Sequence, residues 1–388
     1  MPSRRTAWVE AALIFGISRL VILFLTVIAT LRLPLLGQTA TRNCAFDSTP
    51  CLLSWFHWDA IAYVNVADHG YSLTRNTVFF PLWPLLIHWV GTLFGGSTTS
   101  YYVAGLLLAN VFFYLALVVF YRLLSEDFEP TVAKNALFYL AFYPYALFFF
   151  AGYAESLFLL LCLAVFFFLQ HERWWLAGLC GFLAALTRSP GVLLVVPFLI
   201  TLLQRIWTRG RDKQTNWQQK LQACLPLVLI PSGVLVFMLY LGITKGNPIA
   251  FSTEEAQSWN RHLTLPFISI ITAIQTFFHP SSLILHLLNF LDLAFTLIPL
   301  AILAIGWKHL PLHYSLFALV AALFSLSYPQ GTIDPLTAAP RFMMVIFPII
   351  VILAIWGKQP RLDRIVTACL LPIFAINVVL FINHYWVA

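Results

Sequence analysis

The chain has 388 residues and a net charge of +7, with 61% hydrophobic and only 10% charged residues. Soluble domains carry about 25% charged residues, so this composition excludes a soluble globular domain and indicates an all-α polytopic membrane protein. The positive charge is then a topology signal: no basic stripe interleaved with exposed aromatics is present, and no nucleic-acid partner is expected.

Arg4 and Arg5 precede a hydrophobic run that is too long for a signal peptide and lacks a small-x-small cleavage site, so it reads as a retained first helix. Spans are expected at residues 7–30, 101–124, 132–150, 153–170, 174–187, 189–206, 223–243, 283–306, 310–328, 341–356 and 365–386, eleven crossings in all. Residues 80–95 are apolar but short, Pro81 and Pro84 interrupt their start, and a span needs about 20 residues. If this segment does not cross, Arg4, Arg5, Arg122, Lys134, Arg173, the basic residues from Arg205 to Lys220, Lys308, Lys358, Arg361 and Arg364 share one face in short loops. Arg32, Arg42, Arg75, Arg188, Lys245, Arg261 and Arg341 then fall on the other face, and the positive-inside rule makes the first face cytosolic. The expected organisation is one integral membrane domain over residues 1–388, with long non-cytosolic loops at 31–100 and 244–282. The second loop carries Glu254 and Glu255 and a further surface helix; a shorter loop at 329–340 holds Asp334. Arg19, inside the first span, needs a partner that the sequence does not name. Cys162, Cys180, Cys224 and Cys369 fall in spans as buried packing residues, while Cys44 and Cys51 flank a polar loop and form a disulfide if that loop faces an oxidising compartment.

The first long loop holds the densest chemistry. Residues 55–71 gather Asp59, Asp68, His57 and His69 among aromatics. Asp59 heads a run with Ile61, Val64 and Val66 as apolar positions that ends at Gly70, which predicts a short amphipathic juxtamembrane helix. Asp59 reads either as a functional acid or as that helix's N-cap. On the same face of the membrane, Glu155 lies at a tight turn between two spans, where a carboxylate is costly unless paired or solvated. Arg188, in Thr187-Arg188-Ser189-Pro190-Gly191, and Arg341, after Pro340, stand at non-cytosolic span ends against the charge bias, with a fork suited to phosphate. The bland alternatives are helix capping for Glu155 and interfacial snorkelling for each arginine. No nucleotide-cradling glycine loop is present, and neither a His-Glu-x-x-His nor a Cys-x-x-Cys occurs. His57 and His69 on one helix match no ligand spacing, so no metal is expected.

Together these motifs carry a resemblance. Trp58-Asp59-Ala60, Ala67-Asp68-His69-Gly70-Tyr71 and Phe79-Phe80-Pro81 resemble the first-loop signature of the PIG-V type mannosyltransferases, the GPI mannosyltransferase 2 family and its bacterial relatives. Tyr153-Ala154-Glu155-Ser156-Leu157, Thr187-Arg188-Ser189 with Gly191, and Arg341-Phe342 with Phe347-Pro348 resemble its later motifs, in register over most of the chain. Two departures are His57, where an arginine is frequent, and Asp68 in place of glutamate. The resemblance implies a GT-C fold and transfer of a sugar from a polyprenyl-phosphate donor, with inversion, to a lipid-linked or surface hydroxyl acceptor on the non-cytosolic face. It makes Asp59 the catalytic base, Arg188 or Arg341 the group facing the departing lipid phosphate, and Glu155 an acid that positions the acceptor or assists Asp59. Tyr63, Asp68 and His69 join them as expected substrate-binding residues, with no cofactor. The partners are then the lipid bilayer, the lipid-linked donor and the acceptor, and a further subunit is compatible with the sequence. The membrane is the plasma membrane in a bacterium or the endoplasmic reticulum in a eukaryote. A transporter or flippase is the other reading of polar residues in spans, but it predicts paired broken helices in symmetric halves, and none are evident. A structural scaffold leaves Glu155, Arg188 and Arg341 without a purpose.

Overall fold

The structure is a computed structural model that describes residues 4–32, 54–210, 222–278, 283–331 and 334–387. Cys44 and Cys51 lie outside the described residues. In chain order the helices are α1 (Arg4–Arg32), α2 (Asp59–His69), α3 (Leu82–Leu93), α4 (Thr98–Asp127), α5 (Pro130–Ala141), α6 (Glu155–Gln170), α7 (Trp174–Thr187) and α8 (Val195–Gly210). They continue with α9 (Leu229–Lys245), α10 (Ala250–Ser258), α11 (Pro266–Phe277), α12 (Leu283–Gly306), α13 (Leu312–Leu326), α14 (Ala339–Met344), α15 (Phe347–Trp356) and α16 (Pro360–Ile382). Short 3-10 turns link several of them, and the β pairing among the described residues is a single bridge between Arg261 and Gln330.

Six described helices are long and apolar enough to cross a membrane, within 5–30, 98–127, 189–207, 222–245, 286–309 and 360–382, and further apolar helices are shorter. The chain is a multi-pass integral membrane protein. Two expected spans are broken. Residues 132–150 form α5, which stops at Ala141, followed by a turn and the 3-10 segment Ala146–Phe149. Pro144 explains the stop, because proline disfavours helical backbone at the residue before it and cannot donate to the turn behind. Residues 341–356 are divided between α14 and α15 at Val345-Ile346, just before Pro348. The short α3 occupies the segment read as non-crossing; at about 1.5 Å per residue it falls well short of a bilayer's hydrocarbon thickness. The second long loop holds α10 and α11, where one surface helix was expected. Cys162 is buried as expected, but Cys180 and Cys224 are only partly covered and Cys369 is exposed on α16.

The chain forms two compact units. The first comprises residues 1–70, 83–156 and 353–388, and the second 71–82 and 157–352. In the first, α1 packs on α4, α5 and α16. Arg19 is buried there and finds its partner in the Phe149 carbonyl, to which Nη2 donates at 3.0 Å. Its guanidinium lies 4.6 Å from the Phe113 ring centroid and 4.7 Å from that of Phe15, so an aromatic cage and a carbonyl replace the missing counter-ion. At the ends of this unit, Lys134 meets Glu10 at 2.5 Å and Lys358 meets Glu129 at 2.7 Å. In the second unit, α7 and α9 pack along their length. Gly181 and Gly233 permit this close approach: a side-chain carbon at either would collide with Ile230 or with the α7 backbone, respectively.

Candidate functional site

In the first unit, α2 begins at Asp59, so Asp59 is the first helical residue and the N-cap position belongs to Trp58, whose side chain makes no capping bond. An acid at this position is favourable to the helix dipole, but it is not the cap that one reading assigned. Trp58 adopts φ 49° and ψ −114°, a backbone region costly for a bulky residue, by roughly 1–3 kcal/mol. Packing holds it there. Its ring meets Trp386 edge-on at 5.0 Å and Phe381 at 5.2 Å, while the buried His57 ring lies 3.9 Å from that of His384. The backbone entering α2 is therefore fixed from the far end of the chain.

The buried face of α2 carries Ala60, Tyr63, Val64 and Ala67, at helical spacing, with Val66 beside them; Ile61, read as part of the apolar face, is 48% exposed. Tyr63 lies one turn after Asp59 on the same side of the helix. Gly70 terminates α2 at φ 62°, as its position in the sequence requires. Asp68 faces away from Asp59 and accepts from the Thr98 hydroxyl at 3.2 Å, with His69 Nδ1 at 3.8 Å; the His69 side chain is mostly exposed. Asp68 is thus engaged at the start of α4.

The loop before α6 is tied to the same region. The Tyr153 hydroxyl donates to the His57 carbonyl at 2.9 Å, and the Trp83 indole donates to the Gly152 carbonyl at 3.1 Å. Glu155 opens α6 and is 1% exposed, and the Ser156 hydroxyl beside it donates to the Phe149 carbonyl. The motifs around Asp59, Trp83 and Glu155 are thereby cross-bonded inside one unit, through backbone carbonyls that sequence does not display.

The second unit holds the arginines. Arg188 follows the end of α7 in extended conformation, and Arg341 is buried in α14 between Pro340 and Phe342. Their guanidinium carbons lie 4.8 Å and 5.3 Å from the centroid of the Phe342 ring. A third, Arg261, lies 5.7 Å from the same ring and donates through Nη2 to Gln330 Oε1 at 3.1 Å and to the Thr337 carbonyl at 3.3 Å. Arg261 was legible only as a basic residue of a non-cytosolic loop. Like charges around one ring repel, and an anion held among them relieves that repulsion. Also unread in the sequence are Asn289, Asp292 and Thr296, all buried on α12. Residues Phe79 and Phe80 of the first-loop motif pack in this unit on Trp259, Phe237 and Phe251, and the Tyr71 hydroxyl donates to the Phe79 carbonyl at 2.6 Å. Among the described residues no His, Cys, Asp and Glu cluster has the makings of a metal site.

The profile of the family described as Mannosyltransferase (PIG-V) matches residues 14–268. The chain belongs to this family. Relatives include GPI mannosyltransferase 2 of Cryptococcus neoformans, 27% identical over 227 residues that cover 54% of this chain and 53% of that protein. GPI alpha-1,6-mannosyltransferase 2 of Rattus norvegicus is 34% identical over 151 residues, 37% of this chain and 30% of the relative. The match thus spans about half the length of the first and less of the second. The crystal structure of ArnT from Cupriavidus metallidurans bound to undecaprenyl phosphate aligns over 82% of this chain and 62% of its own, with a TM-score of 0.50 and 16% identity, a likeness of fold. This PIG-V family chain has the GT-C type helical fold that its motifs implied.

Proposed function

We propose that this PIG-V family protein transfers a sugar, mannose by analogy with its named relatives, from a polyprenyl-phosphate donor to a hydroxyl of a lipid-linked or surface acceptor on the non-cytosolic face. The observation that carries the reading is Asp59: the acid of the family's Trp-Asp motif opens a helix whose entry is held in a strained conformation by Trp58 and its aromatic neighbours. Strain maintained by packing is characteristic of functional positions.

In this reading the acceptor oxygen bonds to the anomeric carbon as its proton passes to the Asp59 carboxylate. The bond from that carbon to the phosphate oxygen breaks, and the electron pair leaves with the lipid phosphate. Attack opposite the leaving group inverts the anomeric configuration. Arg188 and Arg341 stabilise the charge that grows on the phosphate, which substitutes for a metal ion. Glu155, buried in the same unit as Asp59, positions the acceptor. The enzyme class is supported by family membership, the lipid-phosphate donor by the arginine group around Phe342, and a base at Asp59 by its motif. Purified protein in lipid nanodiscs, supplied with a panel of polyprenyl-phosphate sugars and hydroxyl acceptors, tests the reading. Transfer or slow hydrolysis from one such donor is expected, and use of none of them while a nucleotide sugar is consumed would overturn it.

A further inference from the structure

The buried side of α12 runs against ordinary helix packing. Its positions Asn289, Asp292 and Thr296 are 4%, 3% and 0% exposed, while Leu287, Phe290, Leu297 and Ile298 face outward. In a membrane protein that inversion marks a polar interior, and an ionisable residue there is a functional candidate by default. Asp292 and Thr296 are one turn apart on one face, and α12 packs on α14, which carries Arg341.

The carboxyl of Asp334, from the loop before α14, is a close neighbour of that of Asp292. Two carboxyls in contact do not both ionise, so the pair shares a proton. For Asp334, burial is the main cause that holds its carboxyl above the ordinary range, against the lowering effects of Thr337, Asp292 and the Arg261 charge. Arg261 in turn stands at the Phe342 ring with Arg188 and Arg341. Thr296 adds an independent sign. Thr26, Thr187, Thr201 and Thr276 each donate back to the carbonyl four residues earlier. The fully buried Thr296 hydroxyl makes no hydrogen bond, although it lies one turn from Asp292.

A carboxyl pair repels a phosphate, so these groups do not extend the anion site. A carboxylate beside a carboxylic acid, with a hydroxyl one turn away, accepts and donates hydrogen bonds as the vicinal hydroxyls of a hexose require. We infer that Asp292, Asp334 and Thr296 form a subsite that recognises the hydroxyl groups of the donor's sugar, next to the arginines that face its phosphate. This inference rests on the proposed use of a glycosyl-phosphate donor. It makes the three residues determinants of sugar specificity, not of the chemical step.

The test uses the full-length protein in nanodiscs and separates sugar from phosphate. Transfer from polyprenyl-phosphate mannose is measured for KM, bare polyprenyl phosphate serves as a competitive inhibitor, and donors carrying deoxy-mannose probe individual hydroxyls. Asp292→Asn and Thr296→Val should raise KM for the mannosyl donor about tenfold or more and lose discrimination against at least one deoxy donor. Inhibition by bare polyprenyl phosphate should stay within about twofold of wild type, the expected result where no hydrogen bond to the phosphate is lost. Arg341→Gln should show the reverse emphasis and weaken the bare lipid phosphate. Unchanged KM and discrimination in both variants would overturn the subsite, as would an equal loss for the mannosyl donor and the bare phosphate, which is what a merely structural role predicts. Should Asp292→Asn fail to fold, Thr296→Val, nearly isosteric, decides by the same criteria. Failure of the underlying donor reading looks different: bare polyprenyl phosphate would not inhibit the wild-type protein at all.

Discussion

The two units organise their polar groups by opposite means. In the first, the acids Asp59 and Glu155 stand at helix starts, and their surroundings are set by side-chain donors to main-chain carbonyls: Tyr153 to His57, Trp83 to Gly152 and Arg19 to Phe149. In the second, cations from three separate stretches, Arg188, Arg261 and Arg341, gather around one phenyl ring. A fixed backbone suits a group that must accept a proton at one atom, because a small misplacement costs rate. A set of forked cations suits a spread-out negative charge and tolerates the loss of one member better. Single substitutions should therefore be sharper in the first unit than in the second.

The largest effect is expected at Asp59. Asp59→Asn keeps the shape and removes the ability to take a proton, so turnover should fall on the order of a hundredfold or more. Because Trp58 holds the cap position, no capping bond is lost, and the charge–dipole part of the stability cost should be about 0.3–1 kcal/mol. Transfer rate and thermal unfolding of matched preparations measure both. Near-normal turnover would remove the functional contrast between the units and make Glu155 the next candidate.

The arginines come next. Arg188→Lys keeps the charge and loses the planar fork, so KM for the donor should rise about tenfold with turnover less affected. Arg261→Gln should do less, since Arg261 is already committed to Gln330 and the Thr337 carbonyl. A loss at Arg188 as steep as that at Asp59 would show that the cations do not share their load. An unchanged donor KM in both variants would return these residues to interfacial roles.

How far the sequence displayed this follows the same contrast. Asp59, the small residues after it and Gly70 lie within one local pattern, so α2 and its limits were readable, although the pattern did not show that Ile61 faces outward or that Trp58 takes a positive φ. Arg261 is 80 residues from Arg341, and nothing local ties them; only the packing of the loops around Phe342 does so. The partner of Arg19 is a main-chain carbonyl, which every residue possesses and no motif marks. The polar side of α12 was readable in principle, since Asn289, Asp292 and Thr296 follow helical spacing within an apolar span. The breaks at Pro144 and Pro348 were hidden by high hydrophobicity on either side, which signals burial in lipid without requiring a continuous helix.

A smaller effect sharpens the claim that main-chain ties hold the acid in place. Tyr153→Phe removes one hydrogen bond to the His57 carbonyl and leaves the buried ring in position. The loss should be about 1 kcal/mol of stability. If the tie positions the start of α2, turnover should fall severalfold while donor KM hardly moves, and the effect should largely vanish in the Asp59→Asn background. Equal fractional losses in both backgrounds would mean that Tyr153 contributes stability alone.

The smallest effect is expected at Asp68, which shares a helix and a motif with Asp59 but not its surroundings. Its carboxylate accepts from Thr98, the first residue of α4, so part of its value is a negative charge at that helix's N-terminus. Asp68→Asn keeps an oxygen for the Thr98 hydroxyl and removes the charge. Stability should fall by roughly 0.3–1 kcal/mol, less at high salt, because the site is partly exposed. The transfer rate should stay within about twofold, since the nine-residue offset along α2 directs Asp68 to the side opposite Asp59. The decisive comparison is between the two asparagine variants of one helix, made at equal expression and across a salt series. A salt-dependent change in unfolding temperature with near-normal turnover assigns Asp68 to the joint between α2 and α4. A salt-independent loss of turnover approaching that of Asp59→Asn would instead place Asp68 among the substrate-binding residues its motif suggests, and the division of labour along α2 would have to be redrawn.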